Sequence, residues 1–182
     1  MKIISLLFCL SISCVGFAQT TWQGLKFGES EADVRKQYQG VFDNKVVTAD
    51  GSFQLVDPGR KLIDNPQAGW KAAAHLHFDK NAKLAFIEVV MLDPAAETSP
   101  TVVISELTEK LVQKYGQPVN QTGDCRMTGD DIMESMVYNP GKMLGCKEMW
   151  KDAGQTITLN WFIQNKKLSF FGLTYEPLPS DI

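Results

Sequence analysis

The chain of 182 residues contains two histidines, set two apart with a carboxylate two further on: His75-x-His77-x-Asp79. On a strand, where side chains alternate between faces, that spacing puts all three groups in one row. Two imidazoles and a carboxylate are ligands for Zn or Cu. A row on one strand, with no ligand from a second element, is a poor chelate. The expectation is therefore a solvated row, with Ala74, Leu76 and Phe78 as the core face. A second set of soft donors lies downstream, where Met127, Met133, Met136, Met143 and Met149 are five of the seven methionines and Met133 and Met136 read M-x-x-M. Thioethers suit Cu(I), and they equally suit adaptable packing. If Ile132 to Tyr138 is a strand, Met133 and Met136 point to opposite faces. No metal or other cofactor is expected; His75, His77, Met133 and Met136 are the candidates that would hold one.

Nucleophilic catalysis finds little support. There is no G-x-S-x-G, and any Ser-His-Asp set would have to recruit from the exposed His row. Asp130, Asp131 and Glu134 read as solvated loop acids. The chain is expected not to be an enzyme.

Residues 1–18 carry Lys2, an apolar run from Ile3 to Val15 and small residues at Gly16 and Ala18, the pattern of a secretory signal peptide cleaved after Ala18. Lipidation at Cys14 is the competing reading. The run is shorter than the about 20 residues a membrane span needs, so no span is expected, and the compartment is periplasmic or secreted. Without Lys2, 17 of the 18 basic residues face 21 acidic ones for a net charge of −4. That mildly acidic balance, without a basic cluster, argues against nucleic acid or anionic lipid as partner. Cys125 and Cys146 are the cysteines left. In an oxidising compartment they are expected to pair, a bridge that would stabilise the fold by about 3 kcal/mol in the chain-entropy model.

The elements that must position these groups follow from local signals. Ser30 is an N-cap, with Glu31 and Asp33 in the first turn and Gly40 as the stop, which predicts a helix over about Glu31 to Gln39. Val46, Val47, Phe53 and Leu55 suggest strands around an Asp50-Gly51 turn, followed by a loop. Trp70 to Leu92 makes a clear hairpin. Ser99 and Pro100 then start a helix with Ile104, Leu107, Leu111 and Tyr115 at helical spacing. After a polar loop from Gln117 to Asp131, strands are predicted at Ile132 to Tyr138, Cys146 to Lys151, Thr156 to Ile163 and Leu168 to Tyr175. Phe78 to Phe86 and Phe162 to Phe170 both read F-x-x-N-x-K-L-x-F. Their agreement, with a helix ahead of each, predicts a duplication: two tandem helix-then-antiparallel-meander repeats of an α+β fold, 19–98 and 99–182. Aligned without a gap, the hairpins set His75 against Leu159 and His77 against Trp161.

W-x-G-L-x-F-G at Trp22 to Gly28 and S-E-A-D-V at Ser30 to Val34 resemble the opening of the periplasmic superfamily containing the β-lactamase inhibitor protein and the small lipoprotein subunit of the β-barrel assembly machinery. K-L-x-F-x-x-L-x-Y at Lys167 to Tyr175 resembles the last strand of such domains. The resemblance implies helices packed on one face of a sheet, the other face free for another protein, and no catalytic activity. Cys125 and Cys146 are not part of that pattern.

The strand Thr156 to Ile163 bears on such a partner, because Ile157, Leu159, Trp161 and Ile163 share one face while Phe162 takes the other. A half-exposed antiparallel sheet alternates apolar with polar, so either both faces are covered within the monomer or one presents an aromatic binding patch. The expected protein-binding patch is the Leu159 and Trp161 face, joined with His75 and His77. The expected function is an exported protein-binding module of inhibitor, immunity or envelope-assembly type, with a periplasmic copper- or zinc-binding protein as the alternative.

Overall fold

A computed structural model describes residues 24–42, 44–57, 64–65, 70–92, 100–127, 129–138, 141–164 and 167–179. The expected signal peptide lies outside them. Helix α1 (Glu31–Gln37) starts where the sequence places it: Ser30 is extended and its Oγ accepts the Asp33 N–H at 3.2 Å. Its entry is tied to a distant turn, because the Gly28 and Glu31 N–H groups donate to the carbonyls of Leu84 and Ala82. Strands β1 (Asn44–Val47) and β2 (Phe53–Val56) pair around the Asp50-Gly51 turn as the sequence predicts. The two-residue β3 (Asp64–Asn65) lies in the expected loop, ahead of the first long hairpin, β4 (Trp70–Phe78) and β5 (Leu84–Leu92). Helix α2 (Pro100–Tyr115) follows, then β6 (Asn120–Gly123), α3 (Gly129–Tyr138), and the meander β7 (Leu144–Asp152), β8 (Gln155–Gln164) and β9 (Lys167–Pro177).

Two of these elements correct the reading of the sequence. The predicted strand Ile132 to Tyr138 is the helix α3. Ile, Val and Tyr favour strands, but Asp130 and Asp131 sit in its first turn where the helix dipole favours acid. Buried Ile132 joins the same core as Val103, Ile104 and Leu111 of α2, so tertiary packing outweighs propensity. The polar stretch read as loop contains β6, whose residues are all exposed; it is held by its pairing with β7.

The strands form one antiparallel sheet in the order β1-β2-β4-β5-β9-β8-β7-β6, with β3 on β4 beside that path. The last strands of the two long hairpins meet at the centre, where Val89 faces Leu173. One face is the core: Leu55, Ala74, Leu76, Phe78, Ile87, Leu159, Trp161, Ile163, Leu173 and Tyr175 are buried in a single cluster with Val34 of α1, Leu111 of α2 and Ile132 of α3. Trp150, on the same face of β7, donates its Nε1–H to the Gly116 carbonyl at 2.9 Å and so holds the end of α2. Among the described residues the fold is α+β, with one antiparallel sheet and three helices.

Candidate functional site

The outer face of the sheet is set by two β-bulges. In the first hairpin His77 faces Phe86 and Phe78 faces Leu84, leaving Ala85 as the extra residue. In the second, Phe162 faces Phe170 and Ile163 faces Leu168, leaving Ser169 as the extra residue. Counted from these bulges, β4 matches β8 at an offset of 85 and β5 matches β9 at 84. The step falls in the turns, which run one residue longer between Phe78 and Leu84 than between Ile163 and Leu168. The gapless alignment is therefore wrong by one residue on β4 and β8. A one-residue slip moves every side chain to the other face. His75 corresponds to Asn160 and His77 to Phe162, and all four lie on the outer face.

This corrects the expected binding patch. Leu159 and Trp161 are 0 % and 2 % exposed and belong to the core, on the face opposite His75 and His77. The outer face instead carries His75, His77, Phe86 and Glu88 in the first half, and Asn160, Phe162, Phe170 and Thr174 in the second.

The two histidines converge on a carboxylate the sequence reading did not pair with them. Glu88 of β5 stands directly across from His75. Its Oε2 lies 3.6 Å from His75 Nδ1 and 3.5 Å from His77 Nε2, ion-pair distances longer than good hydrogen bonds. His75 and then His77 hold the Glu88 carboxyl down to about 2, against the upward push of burial. The His77 ring stacks on Phe86 with centroids 3.8 Å apart and planes 13° apart. Its Nε2 is buried and has no hydrogen-bond partner among the described residues. Asp79, the expected third member of the row, is committed elsewhere: its Oδ1 accepts the N–H groups of Asn81 and Lys83 at 2.8 and 2.9 Å and shapes the turn. Counted back from that turn without a bulge, the register would set His75 against Ile87, so it is the bulge at Ala85 that brings Glu88 across.

In the second half the outer face is aromatic. Phe162 is 40 % exposed and its ring lies 6.1 Å from that of Phe170. Each ring covers a glycine. A Cβ on Gly145 would come within 2.6 Å of Phe162, and one on Gly172 within 2.7 Å of Phe170. Aromatic side chains seated over backbone glycines recover contact that a bare strand forfeits. Along the same face the rungs leading away from the pair carry Asn160, then Thr158 opposite Thr174, then Thr156.

Cys125 and Cys146 form a disulfide, S–S 2.03 Å, tying the turn after β6 to β7. Beside it Glu148 is 3 % exposed on the core face and accepts hydrogen bonds from Gln121 Nε2 at 2.6 Å and Thr108 Oγ1 at 3.5 Å. Burial raises its carboxyl above the ordinary value. Met133 and Met136 lie three positions apart on α3, not on a strand, and their side chains fall outside those described. Among the described residues no helix is long and apolar enough to cross a membrane. No family model, curated protein or solved structure matches the chain.

Proposed function

We propose that the chain is an exported, non-enzymatic protein-binding module whose partner docks on the outer face of β8 and β9, with Phe162 and Phe170 as anchors. The observation that carries this is the aromatic pair, with Phe162 left 40 % exposed in a field of threonine, asparagine and glycine. An aromatic centre with a polar rim, here threonine and asparagine with Lys147, Lys151 and Glu176 on the neighbouring strands, is the anatomy of a protein interface. The partner is a protein that offers an apolar side chain to the ring pair and hydrogen-bonding groups to Thr156, Asn160 and Thr174. The disulfide fits an oxidising compartment, in keeping with the signal peptide read at residues 1–18. Equivalent bulges at Ala85 and Ser169 support two related halves, 19–98 and 99–182. So does the central pairing, since Val89 and Leu173 are 84 apart and face each other. The resemblance to the superfamily of the β-lactamase inhibitor protein and the assembly-machinery lipoprotein favours an inhibitor, immunity or envelope-assembly role.

The test is quantitative capture from the envelope fraction of the source cells by the wild type, by Phe162→Ala, and by Val102→Ala as a control at an exposed site on α2. A specific partner is retained by Val102→Ala and lost by Phe162→Ala. With that partner purified, Phe162→Ala should weaken binding by about 2 kcal/mol, roughly 30-fold, with little change in melting temperature. Equal capture by all three proteins, or self-association abolished by Phe162→Ala, would overturn the reading.

A further inference from the structure

The case against a metal in the His75 and His77 row was the lack of a ligand from a second element. The structure supplies one in Glu88, held on β5 directly across from His75 by the strand register. We propose that His75, His77 and Glu88 form a site for one divalent transition-metal ion of the Zn(II) or Cu(II) class. Each residue offers one ligand atom and these lie within 4.8 Å of one another; His75 Nδ1 and His77 Nε2 are the nitrogens that face Glu88 Oε2. An ion bound at about 2.0 to 2.1 Å in tetrahedral geometry holds its ligand atoms about 3.3 Å apart. The two N···O separations, 3.6 and 3.5 Å, are already within a few tenths of an ångström of that.

Three further features favour an ion over a simple ion pair. The Nε2 of His77 is buried and makes no hydrogen bond among the described residues, and coordination would satisfy it. The His77 ring is clamped by its stack on Phe86, so part of the ordering cost of a ligand side chain is met before the ion binds. The donor set of two imidazoles and one carboxylate suits Zn(II) and Cu(II), whereas Mg(II) and Ca(II) call for all-oxygen ligands. The three side chains are 24 to 30 % exposed, so the ion reaches them from the outer face, and a water can take the fourth position. The second hairpin is an internal control: the positions matching His75, His77 and Glu88 hold Asn160, Phe162 and Gly172, which leave no comparable ligand set.

The experiment is calorimetric titration of the disulfide-intact protein, stripped with chelator, against Zn(II) alone and separately against Cu(II) alone. One ion per chain should bind at micromolar Kd or tighter, and Glu88→Gln and His75→Asn should each weaken binding at least tenfold. The Cu(II) complex should show coupling to two nitrogens by electron paramagnetic resonance, falling to one in His75→Asn. Glu88→Gln preserves side-chain shape, and His75→Asn installs the residue found at the matching position of β8. Melting curves in chelator identify a variant that has lost its fold, and the other then provides the comparison. No uptake, several weak sites, or a single site unchanged by the folded variants would overturn the proposal.

Discussion

Counted from their bulges, β4/β5 and β8/β9 match position for position on the core face: Ala72 with Ile157, Ala74 with Leu159, Leu76 with Trp161, Phe78 with Ile163, Ile87 with Phe171 and Val89 with Leu173. On the outer face Phe86 matches Phe170, but His75, His77 and Glu88 stand where the second hairpin has Asn160, Phe162 and Gly172. The inner face must fill a shared core, so these matched positions are all apolar and only volume varies. Among the described residues the helices bury their side chains in the core cluster on the inner face, so the outer face can carry different chemistry on one frame. The hairpins also differ in attachment. Backbone hydrogen bonds tie the turn of the first to the start of α1, whereas β7 beside the second holds α2 through Trp150 and Gly116.

The sharpest way to break this comparison is in the core. Trp161→Ala should destabilise by about 3 to 5 kcal/mol, and Leu76→Ala at the matching position by about 2 to 4 kcal/mol, because both leave buried cavities. Urea unfolding measures both. A loss under about 1 kcal/mol for Trp161→Ala would return that side chain to the surface and undo the bulge-based register.

A covalent tie distinguishes the second half, and removing it should have the next largest effect. The Cys125→Ala, Cys146→Ala double variant releases a loop with a sequence separation of 21 and should lose about 3 kcal/mol. Alkylation of the native protein without reductant, followed by intact-mass analysis, should add no label. Two labels per chain would remove the tie from the comparison.

The smallest effect is expected at Glu148, the one acid among the buried polar residues of β7. Its folded-state carboxyl is raised above the ordinary 4.5, so the stability linked to its protonated form is complete below that value. That contribution is lost as pH rises through the folded value. Glu148→Gln should match the wild type at pH 4 and exceed it at pH 8, by roughly 1 kcal/mol or less, since Gln can keep the bonds to Gln121 and Thr108. Melting temperatures across that range measure it, and a gap that closes with rising pH would contradict the sign.

Local chemistry was legible in the sequence because it depends on neighbours in the chain. Ser30 announces α1 by what its hydroxyl does three residues on, and Pro100 with the helical spacing of Ile104 to Tyr115 announces α2. Both long hairpins could be read from apolar runs broken by Asn-bearing turns, and Cys125 and Cys146 could be paired by counting. Short apolar runs are less decisive: Ile132 to Tyr138 satisfies strand propensity, and only packing on α2 resolves it as α3. The exposed β6 has no apolar signal and exists through its hydrogen bonds to β7.

Which face a side chain takes was decided by the tertiary structure. Two residues hidden in F-x-x-N-x-K-L-x-F, Ala85 and Ser169, bulge out of their ladders, and turns of unequal length offset β4 from β8 by one. Because the side-chain period of a strand is two, that single residue separates a surface patch from a core. It buries Leu159 and Trp161, turns Phe162 outward, and sets His75 and His77 against Glu88. A strand's own residues specify its alternation; the phase of that alternation against the core comes from the strands beside it.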